Sequence, residues 1–176
     1  MAEGGEGEQV KLVIDASVAA KWIIPGEPWE EEANTLKNAI ASGRVKAYAP
    51  TLIVYELASI LLKAIKNSIL KVQDGVEALK AIGSLGINLI PILWKESAEI
   101  LKIATTAGLT TYDSTYLWLS KKLEGRLITA DEELKRKGEI VAETISLGEL
   151  GSLKALLRIP IPQIEPNKDE NGGGGC

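Results

Sequence analysis

Two apolar runs far apart in the chain constrain its fold most. They are Leu12-Val13-Ile14, closed by Asp15, and Leu127-Ile128-Thr129-Ala130, closed by Asp131. Strands with several consecutive apolar residues are usually buried on both faces, as in a parallel α/β sheet. Ligand sites of open α/β sheets lie at the carboxyl ends of the strands, so both aspartates are expected at the edge where chemistry is done. The chain has no histidine and one cysteine, which excludes an imidazole base, a Ser-His pair and a zinc finger. Clustered carboxylates around a hard divalent cation are the most natural remaining chemistry.

Between and around these runs, strand and helix patterns alternate. Residues 29–42 read as a helix with Ala33, Leu36, Ala39 and Ile40 on one face and Gly43 as its stop. Residues 45–49 form a short strand before Pro50, and 51–66 a helix whose stripe is Ile53, Leu57, Ile60, Leu61 and Ala64. Further helices are expected at 70–83, 94–106, 112–123, 131–137 and 148–157, with strands at 87–90, 126–130 and 139–147. Strands joined through ten or more helical residues imply crossover units and a mainly parallel sheet.

At 176 residues one domain is expected, burying roughly 70% of the unfolded surface. Aromatics are 5% of the chain and Phe is absent, so the core must be built from Leu, Ile, Val and Ala. Residues 1–10 are Gly-rich and acidic and are expected to be disordered; 11–158 form the folded body; 159–176 are a flexible tail. Its Gly-Gly-Gly-Gly-Cys end, closing on Cys176, resembles a linker with a conjugation handle. The net charge of −4 sits in the tails: the first ten residues carry −3 and residues 165–176 carry −2, which leaves the body at +1. A single Cys, no secretory pattern and no membrane-length apolar run suit a cytoplasmic protein.

Four carboxylates stand out, each with a plainer alternative. Asp15 and Asp131 both precede helices and could serve as N-caps. Asp113 is an acid in the first turn of a helix, where the dipole favours it. Glu56 lies within the apolar run Leu52-Ile53-Val54-Tyr55-Glu56-Leu57, where a carboxylate needs a partner, either a metal or a basic side chain.

In this order the segments resemble a known family. Asp15-Ala16-Ser17 after a buried strand is similar to the opening of PIN-domain ribonucleases, VapC-type toxins in particular. Pro50-Thr51-Leu52-Ile53-Val54-Tyr55-Glu56-Leu57 resembles their second acidic motif. Thr111-Tyr112-Asp113-Ser114-Thr115-Tyr116-Leu117 resembles the third, and Leu127-Ile128-Thr129-Ala130-Asp131-Glu132-Glu133-Leu134 the fourth. The match runs across roughly residues 11–150 and departs at Ser114-Thr115 and Trp118, where relatives often carry small apolar residues. The resemblance implies a three-layer α/β/α sandwich with a mainly parallel central sheet, Mg²⁺ or Mn²⁺ dependence and cleavage of single-stranded RNA. It implies a site made of Asp15, Glu56, Asp113 and Asp131, a homodimer, and a small antitoxin partner laid over the acidic cleft.

On that reading Asp15, Asp113 and Asp131 hold the metal, and Glu56 completes the ligand set or orients the attacking water. Ser17 and Thr129 are candidate hydroxyls that orient carboxylates, with turn and capping bonds the preferred alternative for Ser17. Lys21, Lys121 and Lys122 are candidate phosphate contacts; Lys135, Arg136 and Lys137 read equally well as a solvated helix face. Trp22 and Trp29 are expected to pack rather than stack on bases. A haloacid-dehalogenase-type phosphatase would need a second Asp at position 17, which is Ser. A receiver domain would need an acidic neighbour beside Asp15, and neither explains Glu56. An RNA-processing nuclease with no toxin role and a non-catalytic RNA-binding or scaffold module are the nearer rivals.

Overall fold

The computed structural model describes residues 10–153 of the chain. The expected tails, with Cys176, and the end of the expected last helix lie outside the described residues. Five strands, β1 (Lys11–Ile14), β2 (Lys46–Pro50), β3 (Asn88–Ile90), β4 (Arg126–Thr129) and β5 (Thr144–Ser146), form one sheet in the order β3-β2-β1-β4-β5. All four pairings are parallel. The helices are α1 (Ala16–Ala20), α2 (Glu30–Ala41), α3 (Leu52–Lys66), α4 (Val72–Gly83), α5 (Trp94–Ala107), α6 (Thr111–Leu123), α7 (Glu132–Gly138) and α8 (Leu150–Leu153), the last preceded by a 3₁₀ turn.

The sheet has a core on each face, as the alternation of strand side chains requires. Leu12 and Ile14 of β1 join Ile128 of β4 in a cluster closed by Ala33, Leu36, Ala39 and Ile40 of α2. Val13 and Leu127 point to the other face, which α3, α5, α6 and α7 cover through Ile53, Leu57, Leu61, Ile100, Tyr116, Leu117 and Leu134. This is the expected three-layer sandwich. The aliphatic core is joined by two aromatics, Tyr116 and Trp118. Among the described residues no helix is long and apolar enough to cross a membrane.

Strand order reverses direction between β1 and β4, so the loops leaving these two strands diverge to opposite sides of the sheet. Such a switch point leaves a crevice at the carboxyl edge. Asp15 follows β1 directly, and Thr129 and Asp131 stand at the end of β4. Two local differences from the sequence reading matter less. The helix expected directly after Asp15 is only the five-residue α1, too short to show a helical period. The expected strand 139–147 is paired only over Thr144–Ser146, since the Gly138 carbonyl accepts from the N–H groups of Val141 (2.8 Å) and Ala142 (3.1 Å) in a turn.

Candidate active site

Asp15 occupies the N-cap position of α1, yet its side chain makes no capping bond. It is 6% exposed, and its Oδ2 accepts from Ser17 Oγ (2.5 Å) and Thr129 Oγ1 (2.7 Å). Both hydroxyls are themselves held: Ser17 Oγ accepts from Ala130 N (3.0 Å) and Thr129 Oγ1 from Asp131 N (3.0 Å). Each hydroxyl hydrogen is thereby aimed at Asp15, and the β1 and β4 loops are tied together through one carboxylate. Ser17 thus does more than the turn bonding preferred from sequence. Burial raises the Asp15 carboxyl above its usual range; the two hydroxyls oppose this, and the charge of Asp113 adds to the rise.

Glu56 enters the same crevice from the second turn of α3, half-buried beside Leu57. Its partner is neither Lys nor Arg but the Tyr116 hydroxyl, which donates to Oε2 at 2.5 Å. Burial raises the Glu56 carboxyl too; the tyrosine bond lowers it, and the charges of Asp15 and Asp113 push it up again. Tyr116 is fully buried on α6, and burial, then Asp15 and Glu56, drive its hydroxyl far above its ordinary range, so it remains a donor. Sequence reasoning passed over this residue. The available signal was a tyrosine on an apolar helix, since a buried Tyr hydroxyl needs a partner.

Asp113 lies in the first turn of α6 in a reciprocal cap: its N–H donates to Thr110 Oγ1 (3.1 Å), and the Thr110 hydroxyl donates back to Oδ2 (2.6 Å). Asp131 is exposed and caps α7, its Oδ1 accepting from Glu133 N (2.8 Å) and Leu134 N (2.9 Å). The capping alternative thus holds for Asp131 and fails for Asp15. Asp15, Glu56 and Asp113 repel one another electrostatically. They do not yet converge as ligands: among the described residues no three carboxylates stand close enough together to hold a metal ion. Glu56 is turned to Tyr116, Asp113 to Thr110 and Asp131 to α7. The donor chemistry nonetheless suits Mg²⁺ or Mn²⁺, because every candidate ligand atom is a carboxylate oxygen. Three mutually repelling acids, two of them held above their usual range, also stand to gain from a cation.

The candidate phosphate contacts are not gathered here. Lys21 is bound to Glu27 at 3.3 Å. Lys121 and Lys122 are on the last turn of α6, eight and nine residues beyond Asp113, or about 12–14 Å along the axis. Lys135 bonds Glu139 and Glu149, and Lys137 bonds Glu133 at 2.6 Å. Trp22 donates to Ala33 O (2.8 Å) and packs as expected, whereas Trp29 lies against Gly148 with about half of its surface exposed.

The chain matches the PIN domain over residues 12–140. It is 28% identical over 140 residues to ribonuclease VapC3 of Pyrobaculum aerophilum, covering 73% of this chain and 95% of that one. Its fold is similar to that of PAE2754 from Pyrobaculum aerophilum, with TM-score 0.64, 22% identity and coverage of 84% and 96% of the two chains. It is also similar in fold to a chain of VapBC2 from Rickettsia felis, crystallised with a DNA fragment from its promoter, with TM-score 0.57, 13% identity and coverage of 78% and 98%.

Proposed function

The chain belongs to the PIN-domain family, and on that premise we propose that it is a metal-dependent endoribonuclease cleaving single-stranded RNA, the toxin of a VapBC-type toxin–antitoxin pair. The observation that carries this reading is Asp15. It is a carboxylate buried at the switch point of the sheet, held by two hydroxyls rather than by a cation, and repelled by Asp113 and Glu56. Its hydrogen bonds tie the β1 and β4 loops together but leave its charge unpaired by any Lys or Arg among the described residues.

Asp15, Glu56, Asp113 and Asp131 are the residues that would hold Mg²⁺ or Mn²⁺. When bound, such an ion lowers the pKa of water and offsets charge on the phosphate. The chain's own contribution is orientation. Ser17 and Thr129 fix the Asp15 carboxylate in one rotamer, since each hydroxyl is anchored by a backbone N–H. Tyr116 restrains Glu56 while remaining protonated. A homodimer and a small antitoxin complete the proposal, supported by exposed apolar side chains on α3 and α4 (Val54, Tyr55, Leu62, Val72 and Val76) and around α5 (Leu93, Trp94, Leu101 and Tyr112). A cytoplasmic location follows from an RNA substrate and an antitoxin met in the cell.

The test is cleavage of a labelled single-stranded RNA in Mg²⁺, Mn²⁺ or EDTA, beside Asp15→Asn. The expected result is cleavage that needs the metal and falls by at least about a hundredfold in the variant. Metal-independent cleavage, or full activity of Asp15→Asn, would refute it. Growth arrest on expression, relieved by a co-expressed partner, separates a toxin from an RNA-processing nuclease.

A further inference from the structure

Helices α5 and α6 form a hairpin around Gly108, which adopts φ 63° to close α5. On one flank of this hairpin is an open groove of about 570 Å³ lined by Lys95, Lys102, Lys121 and Lys122, with Glu96, Glu99, Ile103 and Trp118. Its two acids are engaged: Glu96 accepts from Leu93 N (3.1 Å), and Glu99 accepts from Trp118 Nε1 (2.9 Å). Its cations are not. Among the described residues none of the four lysines is in an ion pair, whereas Lys21, Arg126, Lys135 and Lys137 each are. Lys122 lies over the Trp118 ring, 4.6 Å from its centroid, which keeps the ammonium at the groove without neutralising it.

We propose that this groove is a second contact for RNA, a phosphate-binding exosite that holds the strand away from the carboxylates. The proposal rests on the ribonuclease reading and adds where such a strand is gripped. Four lysines against two engaged acids give the groove a net positive charge on a chain of formal charge −4. Phosphates need cations at intervals and no apolar core. A protein partner would need a dry apolar centre, and this groove offers only Ile103 and part of the largely buried Trp118. The acid site cannot supply that attraction itself, because Asp15, Glu56 and Asp113 repel a phosphate until a cation is bound. Separation along α6 makes the two contacts additive for a long strand and exclusive for a short one.

The experiment measures binding of a long single-stranded RNA to the full chain in EDTA, where no metal-dependent turnover interferes, as a function of salt. The double variant Lys95→Glu/Lys102→Glu is compared with Lys63→Glu/Lys66→Glu, which makes the same charge change on exposed positions of α3. The groove variant is expected to bind about tenfold or more weakly, with the slope of log affinity against log salt reduced by about 1–2. The α3 variant should change little. The groove variant should still cleave a trinucleotide like the parent. Equal losses in both variants, or no loss in either, would overturn the exosite. So would unchanged RNA binding with lost binding of polyglutamate, which would assign the groove to an acidic protein. If the parent cleaves no RNA with any metal but the groove variant still loses RNA, the nuclease reading fails and the groove stands. If cleavage is intact and affinity unchanged, the groove fails and the nuclease reading stands.

Discussion

Asp15 is kept in the fold at a cost to stability, and the sign of that cost is testable. Its folded carboxyl titrates above the unfolded value of 3.8 because burial disfavours the charge. Between those two values the folded chain holds a proton that the unfolded chain has released, so stability falls as pH rises through that window. Glu56 acts in the same direction. Asp15→Asn removes the charge and keeps an oxygen that can accept from Ser17 and Thr129. In metal-free buffer at neutral pH this variant should be more stable by on the order of 1 kcal/mol, or about 2–4 °C at this chain length. The gain should vanish below the ordinary carboxylate range, where the parent is protonated as well. A thermal melt series over pH measures it; a variant less stable than the parent at neutral pH would contradict the account. Asp15 could be singled out in sequence because a polar residue ended an apolar strand. Tyr116 offered only the weaker signal of a tyrosine on an apolar helix, and nothing in its neighbours named Glu56 as the partner of its hydroxyl.

Helices with one buried face were legible down to the residues of that face, whereas α6 (Thr111–Leu123) was placed by its bounds alone, at 112–123, and its burial was not legible. The stripes of α2 and α3 were read residue by residue, with Ala33, Leu36, Ala39, Ile40, Ile53, Leu57, Leu61 and Ala64 all buried; only Ile60 stays half-open. In α6 the whole run from Ser114 to Ser120 is buried, between the sheet and its helical neighbours, so no stripe exists to read. The polar residues in this buried run must find their partners within the helix or just beyond it. Thr115 satisfies its hydroxyl on Thr111 O (2.7 Å), and Ser120 on Gly125 O (2.9 Å). Ser114 does not: its buried Oγ has no partner among the described residues. An unsatisfied buried hydroxyl costs stability, and Ala is the better helix former. Ser114→Ala should therefore stabilise the chain by about 0.5–1.5 kcal/mol, read as a higher midpoint in urea with an unchanged slope. A lower midpoint would mean that the hydroxyl is satisfied in solution.

At the scale of the molecule, the mainly parallel sheet could be reasoned from strand spacing, whereas the strand order and its switch point emerge only in the fold, where the pairing of β1 with β4 brings Asp15 to Thr129. The gathering of charges was legible only in part. Sequence order set four acids at one edge, yet the folded side chains are turned to local hydroxyls and backbone N–H groups, which no spacing rule anticipates. The surface left open by the fold is equally informative. Leu101 and Tyr112 line an open cavity of about 400 Å³ with Leu52, Ile92 and Ile100 and the hydroxyl-bearing Ser97, Thr111 and Thr115, and Leu93 and Trp94 are exposed at the start of α5. If this face joins two copies, light scattering should give twice the chain mass, and Leu101→Glu should give the monomer at the same concentration. A monomeric parent at high micromolar concentration would refute the dimer.

The central claim is that Asp15, with Glu56, Asp113 and Asp131, forms a cation site at the β1–β4 crevice. The most direct measurement is anomalous diffraction from crystals of the full chain soaked in Mn²⁺. The account predicts a peak within coordinating distance of the Asp15 carboxylate, with Glu56 or Asp113 turned from its hydroxyl partner to share it. A saturating soak with no peak at Asp15, or with manganese bound only elsewhere, would contradict it.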